Sequence, residues 1–194
     1  MSEKVISNHI QGLSLKKVRE TRWESRLSSF AAVRYHYSSV HDALQEETNN
    51  PVAASEALSL IQIMEQFEFI VTIVAWYDIL FQVNILSKAM QSETMDLPNA
   101  TQLLKNCYEF VKEYRRYSSA VITAREIAFQ ARIRLIFKSI RSRKKKRLFK
   151  YEAVGATPTD PEELFKINVF YPMIDTIENA LVTRFTQLFK FNDT

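Results

Sequence analysis

Apolar residues recur every three to four positions over most of the chain, with polar residues between them, and no stretch alternates at period two for long enough to define a strand. The first periodic stretch starts near Thr21. Trp23, Leu27, Phe30, Val33/Arg34, Tyr37, Val40/His41 and Leu44 fall on one helical face. Thr21 and Glu24 make the Ser/Thr-x-x-Glu pattern that satisfies free N–H groups at a helix start. "EETNNP", Glu46 to Pro51, ends the stretch, because Asn-Asn-Pro favours a turn. Residues 1–15 show no period and are expected to be loose.

A second helical stretch is predicted from about Pro51, which suits a first helical turn, to Ser92. One row runs through Ala57, Leu60/Ile61, Met64, Phe67/Glu68, Val71, Val74/Ala75, Asp78, Phe81/Gln82, Ile85 and Ala89. A second runs through Trp76, Leu80, Val83, Leu86 and Met90. Two apolar rows predict burial on more than one face. Unbroken, the stretch would be roughly 60 Å long at 1.5 Å per residue. The β-branched cluster at Ile70–Thr72 is the expected place for a break. After "MDLPNATQ", a third helix is predicted from about Pro98 to Phe129 or beyond, burying Ala100, Leu103/Leu104, Cys107, Phe110/Val111, Tyr114, Tyr117/Ser118 and Val121. The last helix is predicted over 162–191, with Pro172 kinking or splitting it. The organisation read from these patterns is a loose segment 1–15, a helical domain 16–138, a linker 139–161 that is basic at first and then rich in Gly, Pro and Thr, and a C-terminal helical segment 162–194. The fold class is all-α, an elongated bundle of long helices.

Composition narrows the picture. Gly12 and Gly155 are the only glycines, which argues against Gly-rich phosphate loops and against β-folds with many tight turns. With Cys107 the only cysteine, the chain holds no internal disulfide and no Cys-based zinc site. "MSEKVISNHIQ" lacks the apolar core of a secretory signal. The most apolar run, Phe67 to Val83, includes Glu68, Asp78 and Gln82 and reads as a buried core helix rather than a membrane span.

Charge is unevenly spread. Between Ile127 and Tyr151 stand ten Lys or Arg and no Asp or Glu, so within a total of +4 the rest of the chain is net acidic. This layout suggests contact with a polyanion or an import signal. The densest part is "RSRKKKRLFKYE", Arg141 to Glu152. Phosphate contact there falls to Lys144, Lys145, Lys146 and Arg147.

Candidate catalytic groups are few. His36 and His41 stand five residues apart, off the i, i+4 spacing of helical metal ligands. Cys107 lies on the predicted buried face of its helix, and the carboxylates scatter as on a solvated helical surface. Asp78, set among apolar residues, is expected to have a structural partner. No catalytic or metal site, no cofactor and no small-molecule substrate is expected.

The order of the pieces resembles hAT-type transposases, in particular the MYM-type zinc-finger-like and repressor-of-the-inhibitor-of-protein-kinase-like branch. The resemblance runs over about residues 13–190. It rests on "TRW" at Thr21–Trp23, on "W-x-x-I-L-x-x-x-N-x-x-S-K-x-x-Q-S" from Trp76 to Ser92, on the basic run, and on "Y-P-x-x-D-x-x-x-x-x-L-x-x-R-F" from Tyr171. It implies the helical insertion of the transposase, with the family's metal-binding triad of two Asp and one Glu outside this chain. It also implies that the pair matching Arg22 and Trp23 lies where DNA at the transposon end is handled. An indole face stacks on an unpaired base for about 1–3 kcal/mol. Asp175 belongs to the "Y-P-x-x-D" motif and is not expected to be a catalytic ligand. The expectation is a non-catalytic nuclear module with weak, non-specific DNA contact through Arg22, Trp23 and Lys144–Arg147. The alternatives are a protein-interaction or oligomerisation module without DNA affinity, and a part of an active transposase whose catalytic residues lie elsewhere. No membrane partner is expected.

Overall fold

The computed structural model describes residues 23–92, 95–139 and 160–192, and every regular element among them is helical. In chain order these are α1 (Trp23–Tyr35), α2 (Tyr37–Glu47), α3 (Ala54–Met64), α4 (Phe67–Met90), α5 (Leu97–Tyr114), α6 (Ser118–Gln130), α7 (Pro161–Phe165), a π-helical turn (Lys166–Phe170) and α8 (Tyr171–Asn192). The all-α class read from the sequence is therefore the observed one.

The single helix expected from Thr21 to Leu44 is two, with a shallow break at His36 (φ −122°, ψ 36°) across which helical hydrogen bonds continue from His36 N–H to Ala32 O and from Val40 N–H to His36 O. Thr21 lies outside the described residues, and so does the cap expected there. Pro51 does not open a helix: it sits in a turn in which Asn50 Oδ1 accepts the Val52 N–H at 3.1 Å, and α3 starts at Ala54. An Asn side chain closing its own turn outcompetes the helical start. The short turn makes α2 and α3 an antiparallel hairpin, and the Tyr37 hydroxyl at the start of α2 donates to the Met64 carbonyl at the end of α3.

The break in the second stretch comes at Glu65–Gln66, not at Ile70–Thr72. Ile70 and Val71 are fully buried inside α4, and Thr72 Oγ1 donates to the Glu68 carbonyl at 2.7 Å. Burial on both sides holds these β-branched residues in a helix against their modest propensity. α4 is the axis of the molecule. α1 packs on it, α5 and α6 pack along it, and Ile70, Val71, Ile73, Val74, Ala75, Ile79 and Leu80 are buried from more than one direction. Among the described residues α4 alone is long and apolar enough to cross a membrane, and here it is the core of the bundle. The first of its two predicted rows leaves the core towards the C-terminal end, where Phe81 and Ile85 are exposed.

α5 begins with Asp96 as a true N-cap, its carboxylate accepting the Asn99 N–H at 2.8 Å, with Pro98 in the first turn where no N–H is needed. The third predicted helix is also divided. Tyr117, between α5 and α6, has φ 66° and ψ −28°, and Ser118 N–H donates to Arg116 O at 2.7 Å. That is a γ-turn centred on a bulky residue, a conformation that costs on the order of 1–3 kcal/mol. α6 ends in the pattern a glycine usually makes: Ile133 N–H reaches Ala128 O at 2.8 Å and Arg132 N–H reaches Phe129 O at 3.2 Å, with Arg132 at φ 56°.

The C-terminal helix packs on α5. Pro172 has no N–H, and its ring crowds the carbonyl one turn back. The interruption it was expected to cause is the π turn just before it, where Tyr171 N–H bonds the Lys166 carbonyl five residues back.

Candidate functional site

Of the sequence-predicted site residues, Arg22, Lys144, Lys145, Lys146 and Arg147 lie outside the described residues. Trp23 opens α1, but its side chain is not among those described. The relative placement of these six side chains therefore lies outside what the structure describes. The structure does fix the chain on either side of the basic run. Ile133–Lys138 follows α6 as irregular chain beside the start of α4. There Phe137 meets Phe67 edge-on at 5.2 Å between centroids, and Lys138 N–H donates to Glu68 Oε1. Phe165 of α7 lies 5.5 Å from the same Phe137 ring. The segment 140–159 thus joins two points that touch each other. Past it, Lys166 is held by Glu162 at 3.6 Å and Glu163 at 2.7 Å, and its ammonium pKa is raised chiefly by the Glu163 hydrogen bond.

The best-defined polar constellation is one whose acidic member the sequence had marked. Asp78, mid-α4, accepts from Arg34 of α1 through Oδ1 and from the Tyr114 hydroxyl of α5 through Oδ2 at 2.7 Å. The ion pair is largely sheltered, with side-chain exposures of 13% for Arg34 and 24% for Asp78. The Arg34 guanidinium lies 4.5 Å from the centroid of Tyr77, and Tyr77 meets Tyr35 edge-on at 5.4 Å and stacks with Phe81 at 6.0 Å. Burial, then the Tyr35 hydrogen bond, pushes the Tyr77 hydroxyl up to about 12. Burial, with the Asp78 charge next, holds the Tyr114 hydroxyl well above the ordinary tyrosine range. Each Asp78 oxygen accepts from a donor, so the carboxylate ties three helices together. Asp78 in an apolar run was a usable signal. Arg34 on the predicted buried row of the first helix was the matching half of it. Tyr114 carried no signal beyond its core position.

Other candidate groups have structural partners too. Asp175 accepts from Arg115, whose guanidinium also lies 5.1 Å from the Tyr171 centroid. The His41 ring nitrogen Nε2 sits 3.4 Å from Glu65 Oε1 on the surface. Cys107 is buried, and desolvation raises its thiol pKa, away from the reactive thiolate. Among the described residues no group of three His, Cys, Asp or Glu side chains is placed to hold a metal ion.

No protein-family model matches the chain, and no solved structure matches it.

Proposed function

We propose that this chain is a non-catalytic helical module of transposase-derived character that binds nucleic acid in the nucleus through its basic stretch. Lys144, Lys145, Lys146 and Arg147 contact phosphates, and Trp23, beside Arg22, stacks on unpaired bases. The observation that supports the reading is the base of that stretch. Phe137 and Phe165, on either side of segment 140–159, pack together at the start of α4, so the eight Lys and Arg between Phe137 and Tyr151, with no carboxylate among them, are tethered at both ends to one place on a helical body. A tethered cation cluster neutralises several phosphates at once and releases their counterions.

A second reading, a protein-interaction or oligomerisation module, is favoured by α3. Ala57, Ile61 and Met64 face the core, yet Leu58, Leu60 and Ile63 are exposed beside the polar Ser55, Glu56, Ser59 and Gln62, which leaves three large apolar side chains in solvent on one short helix.

Binding of the full chain to duplex and single-stranded DNA at about 50 mM salt, where phosphate contacts are strong, separates the two. The first reading expects the Lys144→Ala, Lys145→Ala, Lys146→Ala triple variant to weaken binding to every DNA form. It expects Trp23→Ala to weaken binding to unpaired forms selectively, because duplex bases are already stacked. If wild-type protein binds no DNA form under these conditions, the interaction module is the correct reading.

A further inference from the structure

We propose that the α5–α6 junction at Tyr117 is a two-state element: broken while the α7–α8 segment is docked, and continuous helix when that segment is released. Nothing local stops the helix there. Tyr114, Tyr117, Val121, Ala124 and Ala128 keep one helical stripe across the junction, and Arg115–Ser119 contains neither Gly nor Pro. Yet Tyr117 takes a positive φ of 66°, a conformation in which a bulky residue is an outlier.

The ring and charge contacts that hold it come from one stretch of chain, α7 through the π turn into α8. The Tyr117 ring meets Phe170 edge-on at 4.9 Å and Phe165 at 6.4 Å, and Lys166 Nζ lies 4.9 Å from its centroid. Two residues before it, Arg115 is bound to Asp175 and lies against Tyr171. All five partners belong to the segment from α7 into α8. The docked state also leaves a polar atom unsatisfied, since the buried Tyr117 hydroxyl has no hydrogen-bond partner among the described residues. Release gives that hydroxyl access to water, relieves the positive φ, and lets the N–H groups at the start of α6, which have no side-chain cap, find carbonyls in α5. The segment that does the holding is itself irregular, interrupted by the π turn ahead of Pro172. Packing of α6 on α4 competes by favouring the broken form whether or not α8 is docked.

The test is solution NMR of the full chain. The α-carbon shift of Tyr117 and the sequential amide contacts over 115–119 report whether the junction is helical, and amide exchange over 173–181 reports whether α8 is docked. Wild type should be non-helical at Tyr117 with α8 protected. The Phe165→Ala, Phe170→Ala variant should lose protection over 173–181 by tenfold or more and shift Tyr117 to helical values. Loss of α8 protection with Tyr117 still non-helical overturns the proposal and assigns the break to α4 packing. Retained protection overturns it as well, since these rings are then not the clamp. Should the double variant fail to fold, Asp175→Asn loosens the same dock more gently and is read in the same way. Tyr117→Phe keeps the ring and removes the unsatisfied hydroxyl, so it should raise α8 protection; lower protection contradicts the proposal.

Discussion

Two helix breaks, one between α3 and α4 and one between α5 and α6, are built differently. At Glu65–Gln66 the backbone is relaxed, with Glu65 at φ −70° and Gln66 extended at φ −89°, ψ 131°. Its free carbonyls are met by side chains: the Tyr37 hydroxyl on Met64 O, and Gln66 Nε2 on Gln62 O at 3.1 Å. At Tyr117 the backbone is strained, the hydroxyl has no partner among the described residues, and aromatic packing from the C-terminal segment holds the geometry. The first break is closed by hydrogen bonds within the α1–α4 half and is expected to behave as a fixed corner. The second depends on a segment that arrives later in the chain. Asp78 ties the two halves, with Arg34 from one and Tyr114 from the other.

The largest expected effect is at the second break. Phe170→Ala removes a ring that is 1% exposed and contacts Tyr114, Tyr117 and Tyr171. A loss of about 3–5 kcal/mol is expected for a buried Phe truncated to Ala. Urea unfolding measures it, and a loss below about 1 kcal/mol would mean that the C-terminal segment contributes little. Asp78→Asn comes next. It leaves the guanidinium of Arg34 without its carboxylate, for a loss of about 2 kcal/mol, in the range of hydrogen bonds to charged groups. Fluorescence-monitored unfolding should show both halves weakened together, because the tie spans them.

The two tyrosine hydroxyls give the sharpest contrast. Tyr37→Phe strips the Met64 carbonyl of a buried donor and should cost about 1–3 kcal/mol, whereas Tyr117→Phe removes an unsatisfied group and should be neutral or stabilising. Equal losses in thermal unfolding would erase the distinction between the breaks. The smallest effect is on pH dependence. Tyr37, Tyr77, Tyr114 and Tyr117 all have hydroxyl pKa values raised by burial. Above the ordinary tyrosine value near 10 the unfolded chain releases these protons while the folded chain keeps them. Stability is therefore full below about pH 10 and falls as pH rises beyond it. A phenolate absorbance titration alongside unfolding should show the two coupled, and Tyr114→Phe should reduce the slope.

Much of the helical content was legible because it rests on local spacing. The buried faces of α2 and α5 follow the predicted rows, and Asp78 has the partner expected of it. What was not legible is where long helical patterns break. The cluster Ile70–Thr72 suggested a break by propensity, but tertiary burial outweighs propensity there. Tyr117 carries no local signal, since the γ-turn is imposed by Phe165 and Phe170, some fifty residues away in sequence. The residues chosen for nucleic-acid contact, Arg22, Trp23 and Lys144–Arg147, were picked on charge and resemblance; they lie outside the described side chains, so the fold adds only the anchoring of the basic stretch at Phe137 and Phe165.

The central claim is that the basic stretch binds nucleic acid through phosphate contacts, and the salt dependence of duplex DNA binding tests it most directly. If Lys144, Lys145, Lys146 and Arg147 each neutralise one phosphate, log affinity against log salt should fall with a slope of roughly −3 to −4. The triple alanine variant at Lys144, Lys145 and Lys146 should flatten that slope to roughly −1. A slope unchanged by the triple substitution, or no binding at about 50 mM salt, would contradict the account.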